Sequence, residues 1–154
     1  MEVSTPGRIC LFGEHQDYLG LPVIAMAISL RANLVGERRT DDQIIIHLPD
    51  IGETEIFSLN DTIYQGSRDY FKSGVNVCKQ EGLIFSNGFE CEIRSDIPIQ
   101  AGASSSSAIV VSWIKFLSHM SDNNLALSNE KIGELAYRAE VIEFSEPGGM
   151  MDQY

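Results

Sequence analysis

Between the strand-like run Phe89–Arg94 and an apolar helical pattern from Ser106 to His119, the chain reads Ile97-Pro98-Ile99-Gln100-Ala101-Gly102-Ala103 and then four serines, Ser104–Ser107. A stretch this poor in side-chain volume cannot build a core of its own. It predicts a tight passage from sheet to helix over Gly102–Ser107. The first turn of a helix leaves N–H groups without internal partners, and the helix dipole gathers partial positive charge there. Ala101, Gly102 and Ala103 would let an anion approach the backbone closely, and the serine hydroxyls add donors for phosphate or oxygen ligands for a hard cation such as Mg²⁺. No Gly-Lys-Ser/Thr follows, so this is not the usual P-loop. The same residues also read as a serine-rich loop with a good helix cap.

The remaining pattern fixes what surrounds that passage. Ile9–Phe12 and Val23–Ala27 are short apolar runs separated by Gly20 and Pro22, and read as buried strands. Leu34–Arg39, Gln43–Leu48 and Glu55–Leu59 predict an antiparallel meander turning at Asp41–Asp42. A helix over Arg68–Gln80 places Phe71, Val75 and Cys78 on one face, with Gly82 positioned to end it. Phe89–Arg94 alternates as a half-buried strand does. Two helices close the chain, Ser106–His119 and Asn129–Phe144, the second capped by Ser128. Strands followed by helices favour an α+β fold, a mixed or antiparallel sheet packed against helices, in one domain over the 154 residues.

Charge narrows the partners. A net charge of −11 argues against nonspecific nucleic-acid or membrane-surface binding, while backbone N–H groups still allow phosphate to bind. No run approaches the length of a membrane span, and the N-terminus has no signal-peptide pattern. Cys10, Cys78 and Cys91 fit neither a zinc pattern nor a disulfide framework, so a reduced, cytoplasmic protein is expected.

Two further stretches are rich in residues that do chemistry. Pro6–Gly20 places Arg8, Glu14, His15 and Asp17 around a short strand, a set able to read sugar hydroxyls, which both donate and accept. It also reads as a solvated polar turn. Glu146–Tyr154 holds the Gly148-Gly149 pair, where a substrate can approach backbone, and Asp152 as a candidate base.

Together the three stretches resemble the GHMP kinases, and the galactokinase-like branch fits best. Gly7-Arg8-Ile9-Cys10-Leu11-Phe12-Gly13-Glu14-His15-Gln16-Asp17-Tyr18 is similar to the galactokinase signature, with Cys10 in the place of its asparagine. Asp96–Ala108 is similar to the family's phosphate motif, with Gln100, Ala103 and Ser107 replacing glycine, leucine and alanine. Ala139-Glu140-Val141 and Gly148–Gln153 are similar to its third motif, with Val141 and Gly148 where histidine and cysteine are common. The chain reads as a divergent branch.

The resemblance implies roles. Asp152 would be the catalytic aspartate facing the anomeric hydroxyl, with Arg8 beside it stabilising charge on the transferring phosphoryl group. Glu14, His15, Asp17 and Gly149 would bind the sugar. Gly102, Ala103, Ser104, Ser105, Ser106 and Ser107 would hold the ATP phosphates, with Ser106 and Glu140 as Mg²⁺ ligands. The implied reaction converts ATP and a free sugar, galactose or a related hexose, to the sugar 1-phosphate. Such kinases usually run to about twice this length, so 1–154 is expected to be an N-terminal substrate- and phosphate-binding domain, cut after its glycine turn and inactive alone. Two other readings stay open: a sugar- and ATP-binding sensor that does not catalyse, and a kinase for another small alcohol. Uncovered apolar faces on the last two helices would admit a homodimer of the piece.

Overall fold

The computed structural model describes residues 1–14, 16–99 and 102–154; His15, Gln100 and Ala101 lie outside the described residues. Alternation dictates the centre of the sheet. Strand β5, Phe89–Ser95 in chain order, buries Phe89, Cys91 and Ile93 and turns Glu90, Glu92 and Arg94 the other way. Its neighbours are β2 (Ile24–Arg38), antiparallel, and β3 (Gln43–Leu48), parallel. With β1 (Glu2–Phe12) and β4 (Glu53–Ser58) outside them, the order is β1-β2-β5-β3-β4, a mixed five-stranded sheet.

The predicted meander holds where β3 and β4 pair antiparallel, but its first step is corrected. β2 and β3 are consecutive in sequence, but β5 lies between them. The bend at Thr40–Asp42 spans the start of β5 instead of closing a hairpin: Arg39 N donates to Gly88 O at 2.9 Å and Gly88 N to Asp41 O at 2.6 Å. Only glycine fits at that wedge, because a Cβ on Gly88 would overlap the backbone of Gln43. The parallel β3–β5 pair needs a long crossover, which β4 and helix α1 (Tyr70–Gln80) supply. Val23–Ala27 and Leu34–Arg39 are also not separate strands: Ile24–Ala27 and Leu34–Arg38 are the two ends of β2.

All three helices cover one face. Helix α2 (Ser105–Met120) runs through the middle, with Val110, Trp113, Ile114, Phe116 and Leu117 buried. Its indole donates from Nε1 to Phe71 O at 3.0 Å. Gly74 makes room for the ring, since a Cβ there would sit 2.6 Å from Trp113 Cδ1. Helix α3 (Asn129–Tyr137) starts at Ser128, whose side chain accepts from Lys131 N at 3.2 Å as predicted. The expected single helix to Phe144 does not form. From Arg138 to Ile142 the chain widens into a π-type turn, with Glu143 N bonded to Arg138 O at 3.0 Å. Ser73 Oγ donates to Ala139 O at 2.7 Å within that turn, tying it to α1.

The helices' apolar faces are covered, contrary to expectation. Exposed apolar side chains do occur along the two-stranded extension formed by Arg8–Phe12 and Ile24–Ala27, where Phe12 is 72% and Ile24 55% exposed. That corrects the reading of both runs as buried. A ribbon two strands wide that extends beyond the helices has nothing to pack against. Cys78 and Cys91 are buried free thiols, both pushed up to about 12 by burial, and Cys10 is half-buried and free. Among the described residues no helix is long and apolar enough to cross a membrane.

Candidate active site

Sequence neighbours build each wall of the site. Arg8 leaves β1 where its register with β2 shifts, between Pro6 and Arg8. Gly7 brings this strand against the serine loop: a Cβ on it would lie 2.9 Å from Ala103 O, and Arg8 N donates to that oxygen at 3.2 Å. Ala103 and Ala108 pack with Ala32 and Ile97 in a small satellite core, which anchors the start of α2 to the sheet. Small side chains are needed there for packing as well as for access.

At the start of α2, Gly102 (φ +68°) and Ser104 (φ +56°) both take left-handed backbone. The first intrahelical bond runs from Ala108 N to Ser104 O at 3.0 Å, so the N–H groups of the preceding turn have no partner within the helix. Ser104 does not cap them with its side chain, and its hydroxyl oxygen is buried without a partner among the described residues. A loop with a free buried hydroxyl and free N–H donors suits an anion better than the plain capping reading does.

Across from this loop stands Asp152. Arg8 donates to its Oδ1 from Nε at 2.7 Å and also from Nη2, while Nη1 donates to Gly102 O at 2.6 Å. The guanidinium thus ties the aspartate directly to the serine loop. Glu14 Oε1 lies 4.0 Å from Arg8 Nη1. Asp17 starts a single 3₁₀ turn and accepts from Met151 N at 3.0 Å. Gly149 lies against the same carboxylate, closely enough that a Cβ would overlap it. Asp17 therefore holds the glycine loop that carries Asp152.

Two adjoining clefts result. The smaller, about 280 Å³, is bordered by Arg8, Glu14, Asp17, Ser106, Ser107, Glu140, Gly149 and Asp152 among others. The larger, about 710 Å³, takes in Gly102–Ser106 and an apolar wall that includes Leu48, Ile51, Ile93 and Ile109. Arg8, Glu14, Arg68, Tyr70, Ser106 and Asp152 border both. Every described residue predicted for the site borders one cleft or the other. His15 lies outside the described residues.

Glu140 is buried in the π-type turn, where its Oε2 accepts from Gln153 Nε2 at 2.7 Å. Gln153 Oε1 is buried with no partner among the described residues. Glu140 and Ser106 share the smaller cleft, and their oxygens, with the spare amide oxygen, are the donors a hard cation takes. The described residues contain no group of three or more His, Cys, Asp or Glu placed to hold a metal by themselves. Mg²⁺ thus fits as a shared ion, completed by a second oxygen-rich ligand, and not as one caged by protein alone.

Two residues bordering the clefts were not anticipated. Arg68 borders both clefts and pairs with Glu146 through Nε–Oε1 at 2.8 Å and Nη2–Oε2 at 3.2 Å. Tyr70 stands beside it, its phenol pushed up to about 12, mostly by burial. Their position next to α1's first turn gave no local signal, because only the folded crossover brings that turn to the site. Asp69, next to them, pairs with Lys72 at 3.1 Å and takes no part.

In this domain a helix start thus faces a guanidinium-held carboxylate across two adjoining clefts. Its family is established by direct comparison. The model "GHMP kinases N terminal domain" matches residues 69–154 and the "Galactokinase galactose-binding signature" matches residues 2–38; the chain belongs to the GHMP kinase family. It is 33% identical to the galactokinase of Pyrococcus furiosus over 153 residues, covering 99% of this chain and 42% of that one. To the mevalonate kinase of Thermococcus onnurineus it is also 33% identical, covering 90% and 44%. It superposes on Lactococcus lactis galactokinase, solved in complex with galactose, with a TM-score of 0.89 at 26% identity, over 99% of this chain and 40% of that one. The chain therefore spans less than half the length of these relatives.

Proposed function

We propose that the chain is the N-terminal substrate- and phosphate-binding domain of a sugar 1-kinase that phosphorylates galactose or a related hexose with ATP. The observation that carries this reading is the junction of the two clefts, where Arg8, Ser106 and Asp152 border both. ATP lies in the larger cleft with its phosphates over Gly102–Ser107, and its base against the apolar wall. The sugar takes the smaller cleft, read by Glu14, His15, Asp17 and the backbone at Gly149. Ser106 and Glu140 would hold Mg²⁺, which would supply charge neutralisation at the phosphates.

At the junction the anomeric oxygen forms its bond to the γ-phosphorus as the bond to the ADP oxygen breaks. Asp152 orients the anomeric hydroxyl and receives its proton. Arg8 keeps the carboxylate in place and faces the charge that spreads over the transferring group. Little covalent work is asked of the protein beyond positioning and charge stabilisation. A second domain that closes the cleft completes the enzyme, and residues 1–154 alone turn over little sugar.

Relatives named mevalonate kinase match as well as those named galactokinase, so an alcohol that carries a carboxylate is the second reading. Charge favours the sugar. The smaller cleft is bordered by Glu14, Asp17, Glu140, Glu146 and Asp152 against Arg8 and Arg68, an excess of negative charge that repels an anionic acceptor but not a neutral polyol. The galactose-binding signature over residues 2–38 points the same way.

The test is ADP release from the full-length protein with Mg-ATP against a panel of hexoses and mevalonate. Turnover is expected with galactose or a near relative, and Asp152→Asn should lower kcat by about 10²-fold or more with sugar affinity kept. Turnover of mevalonate alone would replace the sugar reading. Sugar and ATP binding without turnover would make the protein a sensor.

A further inference from the structure

We propose that Arg68 is the cation that receives the nucleotide's polyphosphate, exchanging its partner Glu146 for phosphate oxygens when the nucleotide binds; this rests on the larger cleft being a nucleotide site. Cation supply makes the case. Among the described residues bordering either cleft, Arg8 and Arg68 are the only lysines or arginines. Arg8 is already engaged: each of its three guanidinium nitrogens donates within the protein, to Asp152 and to Gly102 O, and with its side chain only 13% exposed it can face the transferring group only from its place beside Asp152. Turning it toward a nucleotide would release Asp152, the group the transfer needs in place.

Arg68 is free to respond. Its side chain is 65% exposed, and Glu146 is its partner in a two-nitrogen, two-oxygen pair. A guanidinium fork fits phosphate as well as it fits carboxylate, so one oxyanion can replace the other without a change of geometry. Its position is also held against preference: Arg68 sits at φ +72°, a left-handed conformation uncommon for any residue other than glycine, just ahead of α1. That backbone carries the side chain over the junction, where Tyr70 and Ser106 meet the same space. The partner to be displaced matters too. Glu146 immediately precedes Pro147-Gly148-Gly149 on the segment that leads to Asp152, so loading the nucleotide frees the near end of the sugar-binding loop.

Calorimetric titration of Mg²⁺-containing solutions of ATP, ADP and AMP into the wild type, Arg68→Met, Arg68→Lys and Glu146→Gln tests this. Arg68→Met, which keeps the stem, should weaken ATP by about tenfold, ADP less and AMP hardly at all. Arg68→Lys should fall between, because a lysine keeps the charge but not the fork. Glu146→Gln removes the competitor and should tighten ATP severalfold. Equal losses across ATP, ADP and AMP, or no loss in Arg68→Met, overturn the proposal while leaving the nucleotide site standing. A wild type that binds none of the three overturns the nucleotide site itself, and this proposal with it.

Discussion

Gly149 shows how one missing side chain can set a whole site. Its hydrogen lies against the carboxylate of Asp17, which at the same time accepts from Met151 N. Anything larger pushes Asp17 off the loop and into the smaller cleft. Gly149→Ala should therefore cost about 1–3 kcal/mol of local overpacking, felt as a loss of galactose affinity of about tenfold or more. Galactose titration of the variant checks this, with ATP affinity as the control; an unchanged galactose affinity would remove the Asp17–Gly149 contact from the sugar site. At this scale the sequence was informative where chemistry demands a residue type. Arg8, Glu14, Asp17, Ser106 and Asp152 stand out as candidates because ionisable and hydroxyl groups cluster in short stretches with small residues between them, whereas Glu140 enters only through the family resemblance. Arg68 does not stand out, since an arginine beside an ordinary helix start carries no mark of what will stand opposite it.

Elements were readable in proportion to how local their causes are. Ser128 predicts the start of α3 because a cap is decided within four residues, and the structure shows its side chain accepting from Lys131 N. Ser128→Ala should cost about 1 kcal/mol, lowering Tm by about 2–4 °C; a melt that does not move would mean that α3 is held by packing of Ile132, Leu135 and Ala136 alone. Strand order was not readable, for the opposite reason. That β5 enters between β2 and β3 depends on Gly88 fitting against Gln43 and on a crossover through α1, and both join residues far apart in sequence. The break of α3 into a π-type turn also has a distant contributor, the hydroxyl of Ser73 on α1. Burial of the β1–β2 ribbon was misread because an apolar run signals a strand without saying whether anything packs on it.

For the molecule as a whole, charge governs both partners and pH response. The Arg39 guanidinium holds Asp41 down to about 2, and hydrogen bonds lower Asp42, Glu90 and Asp122 as well. A carboxylate whose folded value lies below its unfolded one supports the fold above the unfolded value, so this support fades as pH falls from near 3.8 toward about 2. Glu55, on the wall of the larger cleft, runs the other way: burial first, then Asp69 and Glu53, raise it above 4.5. Its ionised form opposes folding, with no cost below the unfolded value and the full cost once pH has risen past the folded one. Glu55→Gln should raise Tm by up to about 2 °C at pH 7 and leave it unchanged near pH 3.5. Melts at the two pH values check this, and equal shifts at both would show that charge is not the cause.

The convergence of donor and acceptor on one junction is tested most directly by a crystal structure of this chain with galactose and a non-hydrolysable ATP analogue. The terminal phosphate should lie between Ser106 and Arg8, with the sugar's anomeric oxygen within hydrogen-bonding reach of Asp152. Ordered ligands that sit apart, with either one away from the Arg8–Asp152 pair, would contradict it.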